Sequence, residues 1–171
     1  MVTALPAFKE GEMKKLVYAA ALLLAISYAI GCSLATGKED AEKVAESLLK
    51  ERIEKGGFGS STYYSELFWK NVESEKWENI KKLVDKAMGN LKSYKLNTWN
   101  VTTQAKTNDL SGTIVKLVYD TAYEKGTGVE TIVFHKPITG NAYTIVAHYF
   151  NSAEIQKLVD QGIEQAASAS H

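Results

Sequence analysis

Three residues of chemically useful types fall on consecutive predicted strands of this chain. Two hairpins, taken literally, set Tyr123 opposite Glu130 and Glu130 opposite His148, so that the three side chains form one row on one face of a sheet. A carboxylate beside an imidazole favours the charged imidazole, and with a phenol such a pair can transfer protons in a dry pocket. In water the same row is an ordinary cross-strand cluster, and a one-residue slip in register would break it up. The row is therefore a catalytic candidate with a purely structural alternative.

Aromatic side chains provide a second set of candidates. Tyr64 and Trp69, in a predicted short helix, and Tyr119, on the face of the row, are suited to lining a site for a small apolar ligand. Packing in the core is the alternative for all three. His135 falls on the other face of the sheet, where we expect a solvated or hydrogen-bonded side chain.

Signatures of cofactor chemistry are missing from the sequence. It has no phosphate-binding loop, no nucleophile elbow and no two histidines at metal-ligand spacing. We expect neither a metal nor an organic cofactor.

Helical periodicity dominates the segment that leads up to the strands. Apolar residues recur every three or four positions over Lys38–Lys55, and a glycine-rich stretch follows. Ser61-Thr62 is predicted to cap a second, short helix. Ser74 is predicted to cap a third helix, which ends at Gly89.

The pattern then changes to alternation in segments rich in Val, Ile, Thr and Tyr, which is typical of strands. A tight turn is predicted to pair Lys125 with Gly128, and a looser one to pair Lys136 with Ala142. The four predicted strands are Ser93–Gln104, Thr113–Glu124, Gly128–Lys136 and Ala142–Asn151.

A last helix is predicted after Ser152. Its apolar stripe consists of Ile155, Leu158, Val159 and Ile163. The order of elements predicts an α+β fold, in which N-terminal helices pack on a curled four-stranded antiparallel meander, a cone-shaped roll, with an extra C-terminal helix. We expect one domain over residues 38–165 and a frayed tail over residues 166–171.

Composition narrows the range of partners. Charged residues make up 23% of the 171 residues and the formal net charge is zero, so that no basic patch is available for nucleic acid. The single cysteine, Cys32, excludes an intramolecular disulfide.

The N-terminal segment has the layout of a secretory signal. Lys14 and Lys15 precede an uncharged, mostly apolar run, Leu16–Ile30. This run is shorter than the ~20 residues that a membrane-spanning helix needs. An uncleaved N-terminal membrane helix with an incidental cysteine is the alternative. Met13, directly before the two lysines, looks like the natural first residue of the protein. We therefore expect residues 1–12 to result from a translation start site assigned too far upstream.

The apolar run ends in Ala29-Ile30-Gly31-Cys32, which resembles the bacterial lipobox, although leucine is usual at the position of Ala29. The resemblance implies that the Cys32 thiol receives a diacylglyceryl group and that cleavage after Gly31 makes Cys32 the first residue. Its amine would then take a further fatty acyl chain such as palmitate, and two or three chains anchor a protein stably. Residues 1–31 would be a signal peptide and residues 32–37 a short lipidated tether.

The same resemblance implies a place in the cell. Ser33 after the cysteine resembles the signal for sorting to the outer membrane. We therefore expect an exported, lipid-anchored protein that faces the periplasm from the outer membrane of a Gram-negative cell. In any other bacterium it would lie on the outer face of the cytoplasmic membrane.

The folded part has a resemblance of its own. Two stretches, SEKWENIKKLV and MGNLKSYKLNTWNV, are similar to a family of exported bacterial proteins with a domain of unknown function, within the nuclear-transport-factor-like (cystatin-like) α+β roll superfamily. The matching residues are Trp77, Gly89, Leu91, Ser93, Tyr94 and Trp99. The resemblance implies a pocket and no particular reaction, because this superfamily contains both enzymes and non-enzymatic modules.

Three functions follow from these observations. The first is a non-catalytic envelope module that binds a small apolar ligand or a protein. The second is an isomerase- or hydratase-type enzyme that uses the row of Tyr123, Glu130 and His148 in a closed cavity. The third is a structural or assembly role, as a homodimer or with an envelope protein, through the sheet face or the last helix, since both faces of the predicted sheet are substantially apolar.

Overall fold

The computed structural model describes residues 37–105 and 110–169, with side chains described as far as residue 161. The predicted signal peptide, the lipobox and most of the tether therefore lie outside the described residues. Residues 37–55 are helical and form α1. Most of the stripe predicted from the periodicity is buried, with Ala41, Ala45, Leu48 and Leu49 fully so, whereas Ile53, at its end, is 38% exposed. The segment that follows turns through Gly56 and Gly57, which both adopt a φ of 71°.

The segment after α1 differs from the prediction of one short helix capped by Ser61-Thr62. A 3-10 turn, Ser61–Tyr63, is separated from a short helix, α2 (Glu66–Asn71), which Ser65 caps. Tyr64, between them, is extended and forms an isolated β-bridge with Ile145. The aromatic residues of this segment are therefore divided between two elements.

The third predicted helix is present as α3 (Ser74–Met88). Gly89 ends it with a φ of 72°, as predicted. The predicted cap was wrong, because Ser74 is the first helical residue and Glu73 stands at the cap position, where its side chain makes no capping hydrogen bond.

Four strands and a last helix complete the chain. They are β1 (Leu91–Gln104), β2 (Gly112–Tyr123), β3 (Thr127–Pro137), β4 (Thr144–Asn151) and α4 (Ala153–Ala169). All neighbouring strands are antiparallel, and their order in the sheet is β1-β2-β3-β4. The sheet is open, because β1 and β4 do not pair.

The predicted strand registers were wrong, although the three row residues do share one face. Across the first hairpin, Glu130 pairs with Tyr119 and not with Tyr123, a shift of four residues. Across the second, it pairs with Phe150 and not with His148, a shift of two residues. Side chains alternate with a period of two, so these even shifts leave all three predicted row residues on one face.

A β-bulge breaks the alternation in β4. The register between β3 and β4 shifts by one residue beside Phe134. As a result Ile145, which strict alternation in the predicted strand places on the outer face, is fully buried in the core. Val146, which the same alternation places on the face of the row, lines a hollow on the outer face. Tyr143, also predicted on the outer face, precedes β4 and belongs to the core.

The predicted α+β class is confirmed. The helices cover one face of the meander, where the buried residues of α1, α3 and the strands form one core. The last helix adds Ile155 and Leu158 to this core, so part of its predicted stripe is used within the chain. Within the described ranges, no helix is long and apolar enough to cross a membrane.

Candidate functional site

A group of polar side chains lies inside the core, between α1 and the sheet. We call it the core network, and its members are Arg52, Tyr64, Tyr123, Glu130 and His148. Arg52 and Glu130 are each 1% exposed and the other three are buried. The network contains the whole predicted row of Tyr123, Glu130 and His148, together with Tyr64, which was predicted as a ligand-lining residue.

Glu130 is the centre of the network. Its Oε2 atom accepts hydrogen bonds from Nη1 of Arg52, at 2.6 Å, and from Nε2 of His148, at 2.9 Å. Its Oε1 atom accepts a hydrogen bond from the hydroxyl of Tyr123. Both carboxylate oxygens are thus occupied by protein donors, as a buried charge requires.

The outer members of the network have partners as well. Nη2 of Arg52 donates to the Tyr123 hydroxyl at 2.9 Å, and Nε of Arg52 donates to the backbone oxygen of Gly57 at 3.4 Å. The Tyr64 hydroxyl lies 3.0 Å from Nδ1 of His148. Because the carboxylate accepts from Nε2, a neutral imidazole has its proton on Nε2 and its lone pair on Nδ1, where the Tyr64 hydroxyl donates. This arrangement satisfies every member with His148 neutral.

The electrostatics of the network agree with that assignment. Burial lowers the pKa of His148, although the neighbouring carboxylate opposes this effect. Burial alone would raise the pKa of Glu130, but the charge of Arg52 and the bond from His148 outweigh it and hold the pKa at about 2. Burial also raises the pKa values of the Tyr64 and Tyr123 phenols. We conclude that the network holds one ion pair, Arg52 with Glu130, and three neutral groups.

Aromatic rings pack around this ion pair. The guanidinium carbon of Arg52 lies 4.9 Å from the ring centroid of Phe58 and 5.7 Å from that of Phe150. The ring of Phe150 is also 4.4 Å from that of His148. The narrow cleft next to Glu130, between α3, β3 and α4, has no room for a water molecule. The network is therefore packed, and no substrate-sized cavity adjoins it there.

Arg52 is the member of the core network that was not predicted from the sequence. It is the only arginine among the 20 basic residues of the chain. It also follows Leu48 and Leu49 at three- and four-residue spacing, which places it on the buried stripe of α1. A lone arginine on an apolar helical stripe was the signal that a buried acid lay opposite.

The remaining predicted residues lie outside the core network. Trp69 is half-buried and packs edge-on against Phe68, with ring centroids 4.9 Å apart. Tyr119 is 1% exposed, and within the described residues its hydroxyl has no hydrogen-bond partner. His135 is buried, and its Nε2 lies 3.1 Å from the backbone oxygen of Ser111. Cys32, Ala29 and Gly31 lie outside the described residues.

Open concavities occur away from the network. One hollow of about 630 Å³ lies against the outer face of the sheet and is largely apolar, with Ile114, Val133 and Tyr149 in its lining. A second, also about 630 Å³, lies at the end of the sheet near the start of α4 and includes Lys95 and Glu154. Neither is lined by Tyr64, Trp69 or Tyr119.

Neither metal ligands nor relatives indicate a further chemistry. Within the described ranges, no three His, Cys, Asp or Glu side chains are placed to hold a metal ion. Comparison with protein families, with characterised proteins and with solved structures finds no match to this chain. The interpretation of the site therefore depends on its own geometry.

Proposed function

We propose that this chain is an exported, lipid-anchored envelope protein whose folded part is a non-catalytic binding module. The lipobox-like sequence Ala29-Ile30-Gly31-Cys32 supports the anchor. The closure of the core network is the observation that carries the non-catalytic assignment. The superfamily resemblance, with its implied internal pocket, stays a prediction.

The argument against catalysis is one of access. An isomerase or hydratase needs its acid and base within about 3 Å of a reacting atom, or one water away. Every acceptor of Glu130 already binds a protein donor, and the cleft beside it does not admit water. The row is thus buried, as the enzyme hypothesis requires, but it lacks the space for a substrate, which the hypothesis also requires.

The outer surface is a better place for binding. The hollow on the outer face combines apolar walls with an open mouth, and Tyr149, which is 61% exposed, stands in its lining. Aromatic side chains of this kind are enriched where proteins bind ligands and partners. A small apolar ligand or an apolar segment of an envelope protein fits such a surface.

The anchor has a direct test. The full chain is produced in a bacterial host, the membrane fraction is collected, and the mass of the N-terminal peptide is measured. We expect a mature chain that begins at Cys32 and carries diacylglyceryl and acyl masses. Cys32→Ser should be unlipidated and Ser33→Ala, its matched control, lipidated. A wild-type chain that keeps residues 1–31 and a free Cys32 thiol would overturn the anchor.

Binding is tested on the same material. Native mass spectrometry of the gently purified full chain should show a reproducible extra mass, or a defined protein complex. Replacing Val133 on the outer face with Asp should remove it, whereas Glu130→Gln, inside the core, should leave it in place if the variant is folded. Loss of the extra mass in folded Glu130→Gln alone would favour a site at the network and contradict the proposal.

A further inference from the structure

The two edge strands of the sheet differ in their backbone pairing with other parts of the chain. At the β4 edge, Tyr64 bridges Ile145, and the amide of Ser65 donates to the backbone oxygen of Ile145 at 2.9 Å. At the other edge, no strand among residues 37–105 and 110–169 pairs with the free side of β1. An uncovered edge strand offers a row of unpaired backbone donors and acceptors to another chain.

The first half of β1 has features that usually keep an edge strand from pairing with another chain. It carries Lys92 and Lys95, and two register irregularities lie between Leu91 and Thr98. Lysines and bulges of this kind discourage pairing with a second chain. This half of the edge is therefore a poor template.

The second half of β1, Thr98–Gln104, has neither protection. The run reads Thr-Trp-Asn-Val-Thr-Thr-Gln, contains no charge, and pairs with β2 without a register shift. Four of its seven residues are β-branched, which suits strand pairing. Among the residues that the structure describes, no strand occupies this half of the edge.

Trp99 is the second observation at this edge. The chain has three tryptophans, and Trp77 is 4% exposed, whereas Trp99 is 48% exposed. Trp99 pairs with Leu117 and so points to the helix-covered side of the sheet, beside the open edge. A strand added to β1 would cover much of this ring, and tryptophan is among the residues most enriched in interface centres.

We propose that the free edge of β1 is a dimer interface, at which Thr98–Gln104 pairs antiparallel with the same segment of a second copy of the chain. A two-fold axis at Val101 would pair Asn100 with Thr102 of the other chain and would bring all seven uncharged residues into one ladder. A strand that pairs with itself sets like charges near one another, so the absence of charge in this run favours a second copy as the occupant. The two sheets would join into one sheet of eight strands.

The test introduces charged side chains at the free edge of β1 and leaves the core residues unchanged. Asn100 and Thr102 are exposed. We would make a Lys variant, Asn100→Lys with Thr102→Lys, and a Glu variant, Asn100→Glu with Thr102→Glu, in the full chain. The matched control, Thr139→Lys with Asn141→Lys, places two lysines at the same spacing and on the same residue types in an exposed turn. Thermal unfolding shows whether each variant is folded.

Native mass spectrometry of the detergent-solubilised chains counts the copies. We expect a dimer for the wild type and the control, monomers for the Lys and the Glu variants alone, and a mixed dimer when these two are combined. A wild-type monomer would overturn the proposal, and so would Lys and Glu variants that stay dimeric, which would place the contact elsewhere, on the outer face or α4. A wild-type complex with another protein at this edge would overturn it as well. The spectrum also reports the lipid mass on each copy, so failure of the anchor and failure of the dimer are seen separately.

Discussion

The two faces of the sheet differ in the polarity of their side chains and in how open they are to solvent. On the helix-covered face an ion pair and three polar groups are sealed among aromatic rings, and each group has its partner. On the outer face a largely apolar hollow of about 630 Å³ stays open. The residues that look most catalytic are therefore those that a substrate cannot reach. The comparison shows that residue types indicate catalysis only where there is room for a substrate beside them.

The largest expected effect comes from breaking the sealed ion pair. Arg52→Ala leaves the Glu130 carboxylate buried without its cation, and we expect a loss of about 3–5 kcal/mol in the free energy of unfolding. Urea denaturation of the full chain measures it. The control is Lys50→Ala, in the same helix. Lys50 is solvent-exposed and pairs with Glu46, one turn earlier in α1, so that its replacement should leave the unfolding midpoint unchanged.

A double substitution sharpens this prediction. If the cost comes from an uncompensated charge, Arg52→Met combined with Glu130→Leu should destabilise the chain by less than the sum of the two single changes. Additive losses, or a harmless Arg52→Ala, would show that the ion pair is not closed off from water.

The next largest differences in stability are expected among Phe variants of three buried tyrosines. Phenylalanine at Tyr64 or Tyr123 removes a hydroxyl that bonds a network partner, and each change should cost about 1–3 kcal/mol. Phenylalanine at Tyr119 removes a buried hydroxyl that has no partner within the described residues, so we expect no loss or a small gain. Thermal unfolding ranks the three. A Tyr119 variant as damaged as the other two would contradict the hydrogen-bond assignment.

The pH dependence of stability follows from the lowered pKa values. The unfolded chain protonates His148 near its ordinary pKa of ~6.5, whereas the folded chain resists protonation until lower pH. Stability should therefore fall as the pH drops below ~6.5, by up to about 1.4 kcal/mol per pH unit for this one proton. Glu130 adds a further loss as the pH falls from its ordinary pKa of 4.5 towards about 2.

Unfolding curves between pH 8 and pH 4 test this dependence. His148→Gln should flatten the upper part of the fall, and His135→Gln controls for the loss of an imidazole on the other face of the sheet. Stability that stays level or rises down to pH 5 would contradict a neutral, enclosed His148.

The outer face should give the smallest effect on stability. Tyr149 is 61% exposed, so Tyr149→Ser should change the free energy of unfolding by no more than about 0.5 kcal/mol. We expect the same variant to weaken retention of any ligand or partner at the outer hollow. A large loss of stability instead would make this face part of the fold and not a binding surface.

Much of the architecture was predictable because periodicity reports which side of an element is buried. The shared face of Tyr123, Glu130 and His148 survived two wrong registers, since both errors were even numbers of residues. Ile145 was misplaced because a bulge depends on tertiary packing and leaves no mark in the alternation.

The partners in the network were harder to predict than its central row. Arg52 is 78 residues from Glu130, and only the fold brings α1 over that part of the sheet. Tyr64 was assigned to a helix, whereas its β-bridge with Ile145 sets the backbone from which its hydroxyl reaches His148. Whether polar residues enclose a cavity or fill it depends on side-chain packing, which a single sequence does not encode in any local pattern.

The state of His148 tests the central claim, that the network is closed, most directly. The chain has three histidines, and nitrogen-15 labelling of their rings resolves protonation and tautomer, with His148→Gln for assignment. We predict that the imidazole of His148 titrates below its ordinary pKa of ~6.5 and that its neutral form has the proton on Nε2. An imidazole that titrates near its ordinary pKa of ~6.5 would mean that water reaches the network, and would contradict the account.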